Sequence, residues 1–354
     1  MKNLPKKVSV LVCLVLVSLL VLSACDAIGG IVGGGGSSAA YPSRDIGVVV
    51  PWGAGGGTDL TVRTLVYEMG NDLGVQMPVS NMPGASGSVG MIDVYDSARD
   101  GYKILGSSMT SVTTAQVMGF AEIGFAQWHA WNAAFAPSVV AVRSESPFLT
   151  IEDLVEELLA NPGGVTASSA GVGSSGHIGA IAFTEAVGAT FNHIPYEGGN
   201  PAIIAALGGE VDFTAQLSSE MIDFIRSGDM RPLASLSPED MEVVDNDGNT
   251  IVIPSLARVA PDIADILPIG ASFGLFVPQD MPDEIVQTLN GAYENAIATE
   301  NFRNFVDEQG MVFVGMSMAE SAAYLKRNAS VVSWILYDVG AAPNSPDQFN
   351  IPRP

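Results

Sequence analysis

The chain has 354 residues, with 15 basic residues against 38 acidic ones and a formal net charge of −23. Such an acidic chain argues against nucleic-acid binding and against electrostatic docking on anionic lipid. Its three histidines and two cysteines are too few and too scattered to predict a zinc centre, and no metal or cofactor is expected.

The N-terminus has the pattern of a bacterial lipoprotein leader. Three lysines precede the apolar run 8–22, which is too short to span a bilayer and ends in Leu22-Ser23-Ala24-Cys25. We therefore predict a signal peptide at 1–24, with Cys25 carrying the lipid after cleavage. The Gly/Ser-rich segment that follows predicts a flexible tether at 25–44. The remaining residues, roughly 310, suffice for two domains.

Three glycine-rich loops come next, each following a short strand-like segment and preceding a predicted helix. They lie at 51–59 after the apolar run 46–50, at 81–90 after 75–79, and at 168–177. Glycine lets a backbone approach a ligand closely, and the N–H groups of a first helical turn suit a carboxylate or phosphate. Converging on one cleft, the loops could hold an anion without Lys or Arg. The alternative is that each loop only turns the chain and caps a helix.

The body alternates strand-like and helix-like segments. Apolar residues at helical spacing predict helices over 151–159 and 285–297. Short β-branched runs predict strands at 139–142, 191–194, 211–213 and 273–277. This alternation predicts mostly parallel sheets covered by helices on both faces. The segment 242–253 instead predicts a surface β-hairpin; a calcium loop is the weaker alternative, because the final Glu of such a loop is missing.

Several motifs resemble, in the same order, those of the solute receptors of tripartite tricarboxylate transporters (TctC-like or Bug-type receptors). They are Pro-Trp-Gly-Ala-Gly-Gly-Gly-Thr-Asp (51–59), Asn-x-Pro-Gly-Ala (81–85), Asp-Gly-Tyr (100–102), Asn-Pro-Gly (161–163), Ser-Ala-Gly-x-Gly-Ser-Ser-x-His (169–177), His-Ile-Pro-Tyr-x-Gly (193–198) and Leu-Gly-Gly-x-Val-Asp (207–212). The resemblance covers nearly the whole chain from about residue 45. The order of the seven motifs makes the resemblance specific, because each motif alone is weak evidence for the family.

The resemblance implies an α/β protein with the type II periplasmic-binding-protein fold. In that fold two α/β lobes are joined by a two-strand hinge, and the ligand is trapped in the cleft between them. The first lobe would comprise 45–141 and 273–354, and the second lobe 142–272. The hinge strands would be 139–142 and 273–277.

The resemblance also implies the site. In the family, backbone amides and hydroxyls of the glycine loops grip the carboxylate of the ligand. Transferred by motif, the implied ligand-binding residues are Trp52, Gly53, Ala54, Gly55, Thr58, Asp59, Ala85, Ser86, Ser169, Gly173, Ser174, Ser175, His177, Tyr196 and Gln216. Asp59 could bind the ligand or cap its helix, and His177 fits a structural role better than that of a base. The family usually has an acidic residue near Gln216, where this chain departs.

The implied function is capture of a small organic carboxylate outside the cytoplasm and its delivery to the membrane subunits of a tripartite tricarboxylate transporter. A ligand sensor for a signalling partner is the main alternative. An oxidoreductase is a remoter one: Gly171-Val172-Gly173-Ser174-Ser175-Gly176 is formally a dinucleotide motif, with Glu197 about twenty residues on. A serine hydrolase is disfavoured because neither Ser86 nor Ser175 has glycines at both required positions. No catalytic residue is expected.

Overall fold

The computed structural model describes residues 41–354. The predicted signal peptide, Cys25 and most of the predicted tether therefore lie outside the described residues. The fold and the cleft lie within Arg44–Pro354.

Ten α-helices and thirteen β-strands make up the described part of the chain. The helices are α1 (Gly57–Leu73), α2 (Ser88–Tyr95), α3 (Met109–Thr114), α4 (Ile151–Ala160), α5 (Ser175–Ala186), α6 (Gly199–Gly208), α7 (Ser218–Arg226), α8 (Asp283–Ala298), α9 (Glu300–Glu308) and α10 (Met318–Asp338). The strands are β1 (Gly47–Val50), β2 (Val79–Asn81), β3 (Lys103–Ser108), β4 (Trp128–Pro137), β5 (Val139–Arg143), β6 (Thr166–Ser169), β7 (Asn192–Pro195), β8 (Phe213–Thr214), β9 (Met230–Ser235), β10 (Met241–Val244), β11 (Thr250–Ile253), β12 (Gly270–Pro278) and β13 (Val312–Phe313).

Two separate sheets form the centres of two α/β lobes. The first lobe is built on a six-stranded sheet in the order β13-β4-β12-β3-β1-β2, and the second on a five-stranded sheet in the order β7-β6-β8-β5-β9. Strand β1 is parallel to β2 and β3, and strand β6 is parallel to β7 and β8. The glycine loops follow β1, β2 and β6, which places them at the carboxyl ends of parallel strands, where open α/β sheets bind ligands.

The prediction of mostly parallel sheets is wrong. Strand β12 is antiparallel to β3 and β4, and β5 is antiparallel to β8 and β9. Parallel neighbours need a crossover connection that returns the chain to the same end of the sheet. Strand β4 instead continues directly into β5 of the other sheet across the single residue Ser138. The chain crosses back at Ile269, whose carbonyl accepts the Ser138 N–H at 3.0 Å.

The predicted strand at 75–79 is also misplaced, because β2 begins only at Val79. Helix α1 ends on Gly74 in the left-handed conformation (φ 69°), and the N–H of Val75 is bonded to the carbonyl of Gly70. The Val75 N–H therefore cannot pair with a neighbouring strand, and Pro78 has no N–H to donate to one.

Other local predictions are confirmed. The predicted helices at 151–159 and 285–297 are α4 and α8, and Thr150 begins α4 with a reciprocal capping box with Asp153. The segment 242–253 forms an antiparallel hairpin of β10 and β11. At its turn the Asp245 carboxylate accepts the N–H groups of Asp247 and Asn249, as a surface turn requires.

The long helix α10 belongs to both hydrophobic cores. Leu325 packs in a cluster with Leu105 and Phe276 of the first sheet. One turn further on, Ala329 begins a row that continues through Val332 and Leu336 and packs in the core around the second sheet. Helix α10 is therefore a structural element common to the two lobes.

Candidate functional site

A cavity of about 150 Å³ lies between the two lobes. An apolar cavity of about this volume, roughly 150 Å³, holds a benzene-sized molecule, so a compact organic ligand fits. The first and third glycine loops, the segment 197–201 and the segment 216–220 contribute most of the wall. The lining residues are Trp52, Gly53, Ala54, Gly56, Gly57, Thr58, Ser108, Ala170, Ser174, Ser175, Gly176, Glu197, Gly198, Gly199, Asn200, Pro201, Gln216, Leu217, Glu220, Ala271 and Phe273.

Three helix N-termini meet at this wall. Helices α1, α5 and α6 begin at Gly57, Ser175 and Gly199, and all three residues line the cavity. Each N-terminus carries unpaired N–H groups and about half a positive charge from the helix dipole. No Lys, Arg or His is among the lining residues. The helix N-termini are therefore the source of positive charge at this wall, and the charged side chains among the lining residues are Glu197 and Glu220.

Close packing, more than an unusual φ, explains three of the glycines. A Cβ on Gly57 would stand 2.8 Å from Ser219 Oγ and 3.2 Å from Phe273 Cζ. On Gly176 it would stand 1.6 Å from Gln216 Oε1, and on Gly199 it would stand 2.6 Å from both carboxyl oxygens of Glu220. Any side chain at these positions would displace groups of the cavity wall.

Asp59 does not line the cavity. It is 2% exposed, and its carboxylate accepts hydrogen bonds from Gly55 N (2.9 Å), Arg63 Nε (2.9 Å) and Asn81 Nδ2 (2.8 Å). Burial alone would raise the pKa of Asp59, but the hydrogen bonds from Arg63, Gly55 and Asn81 outweigh it and lower the pKa. Asn81 also donates to the carbonyl of Trp52. Asp59 therefore fixes the shape of the first loop from behind.

The third loop is held by a hydrogen-bonded group of serines and histidines. Ser174 lines the cavity and caps α5, and its Oγ lies 3.4 Å from Ser169 Oγ. Ser169 Oγ in turn lies 2.7 Å from His193 Nε2, and His177 Nδ1 accepts the Gly173 N–H at 3.1 Å. The two imidazoles stack with centroids 3.8 Å apart.

Burial keeps both histidines neutral. Desolvation, reinforced by the neighbouring His193, lowers the pKa of His177 to about 3. Desolvation lowers the pKa of His193 to about 4. A neutral His177 can accept the Gly173 N–H, which an imidazolium could not. This geometry gives His177 a structural role in the loop.

The second glycine loop reaches across the cleft without lining the cavity. Ser86 Oγ donates to the carbonyl of Val172 in the third loop at 3.2 Å. Ala85 and Ser86 both have positive φ, 44° and 50°, a conformation that costs energy in residues other than glycine. The contact joins the rims of the two lobes.

The structure brings together about half of the predicted ligand-binding residues. Those that line the cavity are Trp52, Gly53, Ala54, Thr58, Ser174, Ser175 and Gln216. Those that do not are Gly55, Asp59, Ala85, Ser86, Ser169, Gly173, His177 and Tyr196. Most of the second group hold the loops in place: Gly55 donates to Asp59, and Gly173 donates to His177. The Tyr196 hydroxyl points elsewhere and donates to Glu210.

Sequence reasoning missed Glu220 and the segment 197–201. Glu220 lies in the first turn of α7, where its carboxyl accepts a hydrogen bond from Gln216 Nε2 at 3.3 Å and lies against Gly199 at the start of α6. Burial raises the pKa of Glu220 to about 7. One signal was available, since the resemblance implies an acidic residue near Gln216 and Glu220 lies four positions further along the chain. Between residues 41 and 354, no group of three or more His, Cys, Asp or Glu could hold a metal ion.

Two α/β lobes closing on a small cavity define a receptor that traps a solute. Residues 61–337 match the family described as Tripartite tricarboxylate transporter family receptor, and the chain belongs to it. A UPF0065 protein of Bordetella pertussis is 27% identical over 306 residues, covering 86% of this chain and 92% of that protein. The motif resemblance is thereby confirmed.

Solved structures agree on the fold. A TctC solute binding protein from Polaromonas is 27% identical with a TM-score of 0.65, covering 84% of this chain and 100% of that one. MatC from Rhodopseudomonas palustris with bound malate is 22% identical with a TM-score of 0.72, covering 84% and 100%. The chain is a solute-binding receptor and not an enzyme, and its family implies a place outside the cytoplasm. In the part of the chain that the structure describes, no helix is long and apolar enough to cross a bilayer.

Proposed function

We propose that the cavity binds the carboxylate of a small organic acid. The observation that carries this proposal is the meeting of three helix N-termini at a cavity with no basic side chain. Backbone N–H groups at the starts of α5 and α6 supply donors, and the hydroxyls of Thr58 and Ser175 add more. The predicted residues that lie behind the wall, such as Asp59 and His177, would act by holding these donors in place.

The acidic surface is compatible with an anionic ligand. The chain carries a net charge of −23, which repels anions at long range. Physiological salt screens such repulsion beyond about 8 Å. Inside the cavity the oriented N–H groups act at contact distance, where the local field decides binding. The net charge would slow capture more than it would weaken the bound state.

A binding screen with one matched pair of variants tests the proposal. Malate and a panel of other mono-, di- and tricarboxylates are added to the receptor, and thermal shift is followed by calorimetry. Thr58→Val removes a hydroxyl from the wall, whereas Thr288→Val makes the same change at a half-buried position of α8 that does not line the cavity. A hydrogen bond to a charged group contributes about 1.5–3 kcal/mol, so Thr58→Val should weaken binding by about 10-fold or more. Binding of sugars but of no carboxylate would refute the proposal.

We further propose that the receptor is a lipoprotein that serves a tripartite tricarboxylate-type transporter. The family description and the lipobox that ends in Cys25 support this. A receptor held by lipid alone cannot move solute across a bilayer, so it must deliver ligand to membrane subunits. Cys25→Ala should abolish lipid labelling, and deletion of the membrane subunits should abolish uptake. If uptake persisted without them, the receptor would instead be a sensor for a signalling partner.

A further inference from the structure

Glu220 is a carboxyl group of the cavity wall that has no basic side chain to offset its charge. It is half-buried and lines the cavity, and the described residues that line the cavity with it include no Lys, Arg or His. Glu197 is the other acidic residue of the wall, but it is exposed. Because the cavity measures only about 150 Å³, an anionic ligand in it would lie close to the Glu220 carboxyl.

Groups from both lobes enclose this carboxyl. A Cβ on Gly199, at the start of α6, would stand 2.6 Å from both oxygens of Glu220, and a Cβ on Gly56 in the first loop would stand 3.7 Å from Oε1. Gln216 Nε2 donates to Oε2 at 3.3 Å. An amide donor and close packing suit a carboxylic acid as well as a carboxylate, so these contacts hold the group in place in either protonation state.

The charged side chains on the neighbouring elements are committed to other partners. On α1, Asp59 accepts from Arg63 behind the first loop. On α7, Arg226 pairs with Asp223 at 3.7 Å. In the third loop, burial lowers the pKa of His177 to about 3 and keeps it neutral. The titratable and charged groups on the elements around the carboxyl are thus Asp59, Arg63, His177, His193, Glu197, Asp223 and Arg226, and of these Glu197 lines the cavity.

A bound carboxylate would favour the protonated form of Glu220. Burial already raises the pKa of Glu220 to about 7 in the receptor without ligand. The ligand adds two effects of the same sign, because it brings a like charge close to the carboxyl and removes the solvent that the half-buried group still reaches. Protonation relieves both effects, and the resulting O–H can donate a charge-assisted hydrogen bond to a carboxylate oxygen of the ligand.

We propose that Glu220 is a proton-binding site, so that the receptor takes up a carboxylate and a proton together and the protonated Glu220 donates a hydrogen bond to the bound acid. The proton comes from solvent, binds to a carboxyl oxygen of Glu220, and returns to solvent when the acid leaves. The proposal rests on the carboxylate-binding function proposed above and adds a second, linked binding event to it.

Calorimetry in two buffers counts the protons. Malate, propionate and the other acids of the panel are titrated into the intact mature receptor at pH 6, 7 and 8, in phosphate and in Tris, whose enthalpies of ionisation differ. At pH 7 the receptor should take up about half a proton per bound acid, because a group that is half protonated without ligand becomes protonated in the complex. Affinity should be at least about 5-fold lower at pH 8 than at pH 6, because binding at pH 8 must first protonate the carboxyl.

Glu220→Gln assigns the proton to this residue. Glutamine keeps an oxygen that accepts from Gln216 Nε2, but it does not titrate. The variant should bind the acid without proton uptake and with equal affinity at pH 6 and pH 8. Glu239→Gln, an exposed change in the same lobe, should keep the proton uptake and the pH dependence of wild type.

Infrared difference spectroscopy on the wild-type receptor gives an assignment that does not depend on folding of the variant. Addition of malate should produce the C=O band of a protonated carboxyl, and ¹³C-labelled malate should leave that band where it is. A band that shifts with the label would place the proton on the ligand and overturn the assignment, as would proton uptake that persists in Glu220→Gln. Binding without any proton uptake would overturn the proton site and leave the carboxylate function standing. If no acid binds, both proposals fall.

Discussion

Asp59→Asn should destabilise the receptor although the change is nearly isosteric. The Asp59 carboxylate accepts three hydrogen bonds through two oxygens, with Gly55 and Arg63 on Oδ2 and Asn81 on Oδ1. Asparagine has one oxygen, so in either orientation its NH₂ group meets a donor. Hydrogen bonds to charged groups contribute about 1.5–3 kcal/mol each and are not additive, so we expect a loss of about 2–4 kcal/mol.

Thermal and urea unfolding measure this loss. With an unfolding entropy of about 2.1 cal/mol/K per residue, a folded chain of roughly 310 residues shifts its Tm by about 1.5 °C per kcal/mol, so the expected decrease is about 3–6 °C. Affinity for the tightest-binding acid of the panel should also fall, because the ligand must then order the first loop. Asp307→Asn is the matched control: it changes an exposed Asp near the end of α9 and should stay within about 0.5 kcal/mol of wild type. An Asp59→Asn variant with unchanged Tm and affinity would show that the network does not shape the loop.

Two further predictions concern a glycine and the histidine pair. Gly176→Ala should abolish binding because its Cβ would stand 1.6 Å from Gln216 Oε1. The control Gly291→Ala, with open space around it in α8, should bind normally and gain up to about 1 kcal/mol of stability. Equal affinities for the two variants would contradict the close packing. His177 and His193 are neutral in the folded state, with pKa values of about 3 and about 4 against an unfolded value of 6.5. Their contribution to stability is therefore present above pH 6.5 and is lost as pH falls towards 4. Between pH 6.5 and 5, wild type should therefore lose about 1–2 kcal/mol more than His193→Gln in urea titrations, and parallel losses would disprove the assignment.

The first and third glycine loops were predictable because their information is local. An apolar strand followed by glycines and a helix start fixes both conformation and chemistry within ten residues, as at 51–59 and 168–177. The loop positions at the carboxyl ends of parallel strands followed from the same pattern.

Which loop residues face the cavity was not local information. Asp59 turns away because Asn81 and Arg63 surround it, and Asn81 lies 22 positions further along the chain. Glu220 enters the cavity because α7 of the second lobe meets the start of α1 in the first, where Ser219 lies against Gly57, a contact that no periodicity encodes. Likewise, antiparallel neighbours arise where the chain passes between lobes at Ser138, which the alternation of strands and helices does not reveal.

The shared helix α10 has a consequence for how the molecule could be divided. The core of the second lobe includes Val117 and Met118, which precede the lobe in the chain, and five residues that follow it: Ala329, Val332, Leu336, Ala342 and Ile351. A fragment expressed from 142–272 alone would therefore lack several of its own packing partners and expose apolar surface. The two lobes should accordingly unfold in a single concerted transition, and fragments cut at Ser138 should regain structure only when mixed. Cleavage in the loop before α10 cuts the chain in the first lobe. Because α10 also packs in the second core, this cleavage should destabilise the second lobe as well.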